Sequence, residues 1–511
     1  MRQLHAVILA AGEGTRMKSE LPKVLHPICG RPMIAYALDL AAFAGVKQPI
    51  VVLGAGAELV KPRLPKEVKA VLQAKRLGTG DAVASAKKAL GTTAGDLLIL
   101  YADTPLLRRT TVQKLVESHF KTGASCTLLT AHLADPSGYG RIQRNETGQI
   151  IGIVEETEAN AAQRAIREIN VGPLVCKLQP LLEALAVIKP SSSKKELYLT
   201  DIVEHVAKLE GAKIQATKIE EVSEALGINS RTELARAIGV IRQRIVDVHL
   251  HNGVTIEDPH STFIDHGVTI GADTTVRPYT VIETGVAIGR RCTIGPFARL
   301  RSGVAVGDDS RIGNFAELVR TKVGARCRIN HVSYLGDTVI EEDVNIGAGT
   351  VTANYDGKDK HLTQIGKGAF IGSDTVLIAP VKVGAGAVTG AGCVVTRSHD
   401  VPPKGVVAGV PARPMSQRAG GPARPFGNHR PDKDKPAAAQ PAAARAAKVN
   451  GGPSPRAKAP KRTAGKPRAK VSRAAVRRSS AKKRTVRKPV RARAARKPAR
   501  AGARKGHKAK R

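Results

Sequence analysis

The chain has 511 residues, too many for one ordinary domain. No run of about eighteen apolar residues appears in it, so nothing in the sequence is built to span a membrane as a helix. The net charge of +39 has the look of a nucleic-acid binder until it is located: residues 421–511 carry 31 Lys and Arg against two Asp, a net +29, and leave the rest only modestly basic.

The first apolar stretch, Leu4 to Leu9, is too short for a signal sequence and runs into Ala10-Ala11-Gly12, the pattern of a strand and its turn. Ala6–Leu9, Ile50–Leu53, Leu97–Leu100 and Cys126–Leu129 read as buried strands, and Met33–Ala44 and Asp81–Ala89 between them have helical spacing. That alternation predicts βαβ units and a mostly parallel sheet over residues 1–228, with ligands at the carboxyl ends of the strands. A helical connector follows over residues 229–250. From residue 251 to 415 an aliphatic residue before glycine recurs at Ile270, Ile288, Ile294, Val306 and Ile312, in gaps that are multiples of six. This is the signature of a hexapeptide-repeat β-helix, each repeat supplying one flat strand of a triangular coil. Residues 416–511, rich in Ala, Pro, Lys and Arg, cannot bury enough apolar surface to fold and read as a disordered tail. The six cysteines are scattered singly, which argues for a reducing, cytoplasmic compartment and against a zinc site or a disulfide scaffold.

The turn after the first strand, Leu9-Ala10-Ala11-Gly12-Glu13-Gly14-Thr15-Arg16-Met17, is glycine-rich, and Leu21-Pro22-Lys23-Val24-Leu25 follows closely. Glycines let backbone N–H groups approach phosphates, and an Arg and a Lys nearby can neutralise them. These runs resemble the signature of sugar-1-phosphate nucleotidyltransferases. Further segments narrow the resemblance to the family of bifunctional N-acetylglucosamine-1-phosphate uridylyltransferase/glucosamine-1-phosphate acetyltransferases: Leu77-Gly78-Thr79-Gly80, Tyr101-Ala102-Asp103-Thr104-Pro105-Leu106, Gly138-Tyr139-Gly140-Arg141-Ile142, Glu168-Ile169-Asn170-Val171-Gly172, Tyr198-Leu199-Thr200-Asp201-Ile202 and Gly227-Ile228-Asn229-Ser230-Arg231.

The resemblance, covering about residues 3–415, implies that Leu9, Ala10, Ala11, Gly12, Gln73, Gly78 and Thr79 hold the uridine of UTP. Arg16 and Lys23 would bind the triphosphate, with Tyr101 and Ala102 leading into Asp103. Asp103 and Asn229 would ligate Mg²⁺, a hard cation suited to oxygen ligands. Gly140, Glu155 and Asn170 would recognise the sugar of N-acetylglucosamine 1-phosphate. Glu13 departs from the family, which often has Lys there.

In the coil, Asn330-His331-Val332-Ser333-Tyr334-Leu335-Gly336-Asp337 resembles the segment carrying the family's catalytic histidine. His331 would be the general base of acetyl transfer to glucosamine 1-phosphate, a task suited to imidazole. Arg301, Tyr334, Asn345, Asn354, Tyr355 and Lys360 would contact that sugar phosphate, and Ala348, Ser373 and Ala391 would bind acetyl-CoA. Val319 stands where the family has Lys, and Gly409 where it has Arg; Arg320 next door cannot substitute, because neighbouring strand residues face opposite sides. The stretch from Gly253 to Gly295 is about one coil shorter than the family form, and the resemblance implies a homotrimer. A uridylyltransferase whose coil only trimerises, kept alive by Val319, and a nucleic-acid binder on a relic enzyme stand as alternatives. The tail has no aromatic residue to stack on bases beyond Phe426, near its start, so its contacts would be with phosphate, on nucleic acid or an anionic membrane surface.

Overall fold

A computed structural model describes residues 3–75, 77–191 and 195–415. The basic tail lies outside the described residues. The N-terminal part is built on β1 (Leu4–Ala10), β2 (Ile50–Leu53), β3 (Lys69–Leu72), β4 (Asp96–Tyr101), β5 (Cys126–His132), β6 (Arg141–Arg144), β7 (Ile150–Val154), β8 (Glu168–Lys177) and β9 (Ile214–Lys218). The main sheet has the order β9-β5-β8-β4-β1-β2-β3, with β6 paired to β8 and β7. All neighbours on that path are parallel except β8, which runs antiparallel to both β4 and β5. The alternation of strands and helices predicted the parallel part. The inserted β8 and the β6–β7 hairpin break it.

The chain leaves β1 toward β2 and β3, then returns to lay β4 on the other side of β1. Two connections therefore diverge at the carboxyl ends of β1 and β4, where Leu9 and Tyr101 are register partners. Such a divergence opens a crevice that flanking helices cannot close. The strands beside it are buried on both faces: Val7, Ile8 and Ile99 have no exposed surface. Cys126 and Cys176 are register partners on β5 and β8, and the structure joins them in a disulfide. This overturns the expectation of six single cysteines; a sequence separation of 50 conceals a pairing made by the sheet. Cysteine spacing therefore no longer argues for a reducing compartment.

A long helix, Arg231–His251, leads out of this part. It starts at a capping box, in which the Ser230 hydroxyl accepts from the Glu233 N–H while Glu233 accepts from the Ser230 N–H. Beyond it the chain winds into a three-faced prism of parallel strands. One face points Ile270, Ile288, Val306, Val323, Ile340, Ile365 and Val383 inward as successive register partners. Buried Thr and Ser at the corners donate to carbonyls of the next coil, as Thr274 does to Gly289 O at 2.8 Å and Thr321 to Leu335 O at 2.9 Å. These bonds pair polar groups that the prism buries.

The six-residue phase is not kept throughout. Register partners on that face lie 18 apart from Ile270 to Val306, 17 apart to Val323 and Ile340, then 25 apart to Ile365. Where the phase breaks, β10 (Arg311–Val319) and β11 (Arg328–Gly336) run as nine-residue strands across a corner. The 25-residue step throws out the loop around Asn354–His361, closed by a bridge between Tyr355 and Lys360. Among the described residues no helix is long and apolar enough to cross a membrane.

Candidate functional site

The crevice beside β1 and β4 is a cleft of about 720 Å³. Its wall includes Leu9, Ala10, Ala11, Gly12 and Glu13 from the first turn, Gln73, Gly78 and Thr79 from the next connection, and Tyr101 and Asp103 from the end of β4. Lys23, Gly140, Glu155, Asn170 and Asn229 join them, so that residues far apart in the chain converge on one cleft. Two expected residues stand apart. Ala102 is buried behind the wall, its N–H donating to Leu9 O at 3.0 Å. Arg16 is exposed and lies outside the wall, in the single turn Thr15–Met17, which tucks Met17 inward instead. The charge of Arg16 is one of the influences that lower the Glu233 carboxyl.

Lys23 is the centre of the cleft's charge. Its Nζ donates to Asp103 Oδ2 at 2.6 Å and to Asn229 Oδ1 at 3.1 Å, and the residue is only 8% exposed. The left-handed Gly14 (φ 65°) lets the turn press on its stem: a Cβ there would lie 2.8 Å from Lys23 Cβ. Gln73 directs its amide nitrogen to Gly78 O (3.0 Å) and Asp81 Oδ2 (2.7 Å). Gly78 has φ 107°, and a Cβ would meet Leu197 O at 2.6 Å, so this close approach needs glycine. On the far wall Glu155 accepts from the Thr200 hydroxyl at 2.8 Å, and Asn170 Oδ1 accepts from Gly172 N at 3.1 Å. Burial, then the carboxylates of Glu155 and Asp103, push the Tyr101 hydroxyl well above its ordinary pKa and keep it neutral.

Sequence reasoning missed two supporting residues. Glu233 accepts from the N–H groups of Asn229 and Ser230, both at 2.7 Å. Burial works to raise its pKa, but these bonds outweigh it and hold the carboxyl low. Ser230-x-x-Glu233 was a legible capping box that anchors Asn229. Thr200 lay in a quoted motif, but its hold on Glu155 needs the fold to be seen.

On the prism, register places Asn314, His331, Ala348, Ser373, Ala391 and Gly409 in one column at one corner. The exposed His331 ring meets Asn314 Oδ1 through Nδ1 at 3.0 Å. Asn345 lies on the face before this corner and Tyr334 on the face after it, paired in register with Glu317. Arg301 donates to Glu317 at 3.1 Å. Val319 is 4% exposed and lies in register with Gly336, so no cation occupies its place. Arg320 turns away (φ 48°) and pairs with Asp337, whose carboxyl is held low by Arg320 first, then by Asn354 and Lys360. Asn354, Tyr355 and Lys360 ride on the protruding loop, which Asp356 ties to His361 at 2.6 Å and Arg397 at 3.3 Å.

Comparison with known proteins joins the two halves. Residues 6–164 match the model of the MobA-like NTP transferase domain. Residues 267–302, 285–320 and 362–397 match that of the bacterial transferase hexapeptide (six repeats). The bifunctional protein GlmU of Heliobacterium modesticaldum is 42% identical over 435 residues, 79% of this chain and 94% of that protein. GlmU of Pelotomaculum thermopropionicum is 43% identical, over 74% of this chain and 90% of its own length. GlmU of Geobacillus thermodenitrificans is 41% identical over 80% and 96%. With both folds in this order and the likeness running nearly end to end of its relatives, the chain belongs to the bifunctional GlmU family.

Proposed function

We propose that the chain makes UDP-N-acetylglucosamine in two steps. The coil transfers acetyl from acetyl-CoA to glucosamine 1-phosphate, and the N-terminal cleft transfers uridylyl from UTP to the resulting N-acetylglucosamine 1-phosphate. The observation that carries this is the convergence of Lys23, Asp103 and Asn229 with Gln73 on one side and Glu155 and Asn170 on the other.

Uridylyl transfer needs no protein nucleophile. A phosphate oxygen of the sugar attacks the α-phosphorus, the bond to the β-phosphate oxygen breaks, and pyrophosphate leaves with its charge. The cleft's part is positioning and neutralisation. With the Gln73 nitrogen committed to Gly78 and Asp81, its oxygen is the end left to accept from the uracil edge. Lys23 supplies the buried positive charge for the phosphates. Asp103 and Asn229 already aim two oxygens at one cation, the Lys23 ammonium, and these oxygen donors fit Mg²⁺, which they would hold. Bound there, the ion would neutralise developing charge on the phosphates. Glu155, oriented by Thr200, and Asn170, oriented by Gly172, offer acceptors to sugar hydroxyls.

In the coil, His331 takes a proton from the amine of glucosamine 1-phosphate as the nitrogen attacks the thioester carbonyl, the C–S bond breaks, and coenzyme A leaves. Ala348, Ser373 and Ala391, small residues above His331 in its column, leave space along the corner for acetyl-CoA. Arg301 and Lys360 serve the sugar phosphate, with Tyr334, Asn345, Asn354 and Tyr355 around them. Below His331 the rings of Tyr279, Phe297 and Phe315 stack at centroid distances of 4.9 and 5.2 Å, each largely exposed. A contiguous exposed aromatic stripe is a protein-contact surface, and we assign it to the other copies in a homotrimer. Substrates of this kind place the enzyme in the cytoplasm. The tail is read as a sequence-independent phosphate binder, on nucleic acid or an anionic membrane.

Thiol release from acetyl-CoA and pyrophosphate release from UTP, measured on the purified chain and on His331→Ala, test both halves. The expected result is both activities in the wild type and loss of thiol release alone in the variant. A second reading follows from the buried Val319: the coil only trimerises. Pyrophosphate release without any thiol release in the wild type would establish that instead.

A further inference from the structure

We propose that Asn314 is the positioning residue for His331: its carboxamide oxygen holds the imidazole proton on Nδ1 and leaves Nε2 as the base. The inference rests on the acetyl-transfer reading of the coil. β10 and β11 pair so that Asn314 and His331 are direct partners, and Oδ1 stands 3.0 Å from Nδ1. A carboxamide oxygen only accepts, so the nitrogen facing it carries the hydrogen and the lone pair is on Nε2.

His331 is exposed, and among the described residues Asn314 is the one side chain hydrogen-bonded to its ring, Ser333 donating to its backbone carbonyl. Val332 fixes the backbone beyond the ring. Its φ of 25° is a left-handed conformation rarely taken by a β-branched residue. Its carbonyl accepts from Gly349 N of the next coil at 2.6 Å. The ring's surroundings in its column and along its strand, Asn314, Ala348, Asn330 and Val332, carry no charge. Without Asn314 a neutral imidazole shares its proton between both nitrogens, and molecules with hydrogen on Nε2 cannot accept the amine proton. The step loses no substrate contact, only the fraction of base presented.

Asn314→Ala and Asn314→Asp, made in the full chain beside His331→Ala, separate the possibilities. Asn314→Ala should lower kcat of thiol release by about tenfold, as loss of an outer partner does to functional imidazoles. KM for both substrates and the rate of pyrophosphate release should hold. Asn314→Asp keeps an acceptor, so it should recover most of kcat. Its carboxylate favours the imidazolium and should move the acid limb of the kcat–pH profile upward. Wild-type kcat in Asn314→Ala with His331→Ala inactive would overturn the assignment. Should Asn314→Ala fail to fold, an unshifted acid limb in Asn314→Asp would overturn it as well. An active His331→Ala would instead bring down the acetyl-transfer reading on which it stands.

Discussion

Lys23 shows how one residue can serve two cations' worth of chemistry. In the protein by itself its ammonium lies between Asp103 and Asn229, where a divalent ion bound by those oxygens would have to come. Lys23→Gln should therefore do two things. Pyrophosphate release should fall by about 10²-fold, the scale of losing one preorganised charge at a transition state. At the same time Mg²⁺ should raise the variant's Tm more than the wild type's, since Asp103 then has no internal counter-charge; equal increments by calorimetry would sink this. Asp201 offers a check by pH. Burial, then Glu155, Glu204 and Glu158, raise its carboxyl to about 6 from an ordinary 3.8. The folded chain thus holds a proton that the unfolded chain has lost, and stability falls as pH rises from 3.8 to about 6. Asp201→Asn lacks this term. Its Tm relative to wild type should climb across that window and stay level above it, and a pH-independent difference would refute the cause given.

At the scale of elements, strands and repeats were readable because their periods are short and local. Ile50–Leu53 is the strand its apolar run suggested, and the connector expected over residues 229–250 is the helix Arg231–His251. What was illegible came from pairing at long range. β8 takes an antiparallel place between two parallel strands, and Cys176 reaches Cys126 only there. Arg16 lies outside the cleft wall that Lys23 helps to form, a placement no motif gives, since a motif fixes order along the chain but not which way a one-turn helix points its side chains. The broken phase between Val306 and Ile365 is the more instructive failure: the strict repeat is a packing rule, and it lapses in the stretch that holds Asn314, His331 and Lys360. Val319 lies in that stretch, in register with Gly336, over which Asn354 and Tyr334 close in. Val319→Lys should lower KM for glucosamine 1-phosphate by roughly tenfold, about one charge-assisted hydrogen bond. An unchanged KM in steady-state thiol release would show that the site has no use for a cation there.

For the molecule as a whole, the charge census assigns separate duties to body and tail. Removing residues 421–511 takes away a net +29 of the total +39 and should leave both transferase rates as they were. The same truncation should abolish retention on duplex DNA or on anionic vesicles. For the intact chain the logarithm of affinity should fall steeply and linearly with the logarithm of salt. A truncated chain that still binds at low salt would locate the contact on the body instead.

The prism also works as a ruler. Its coils are graduations of about 4.8 Å, the spacing of paired strands. Ile256 at its foot and Ile329 beside His331 are four graduations apart. Coils added or lost below His331 change the journey an acetylated sugar must make to the other cleft while leaving both chemistries as they are. Under the proposed acetyl transfer, coils between His331 and Gly409 measure something else, the length of a carrier laid along the corner, and that part of the scale has no freedom to drift. A lineage could trim the first segment and keep its enzyme, whereas an indel in the second would misplace the thioester by a whole graduation.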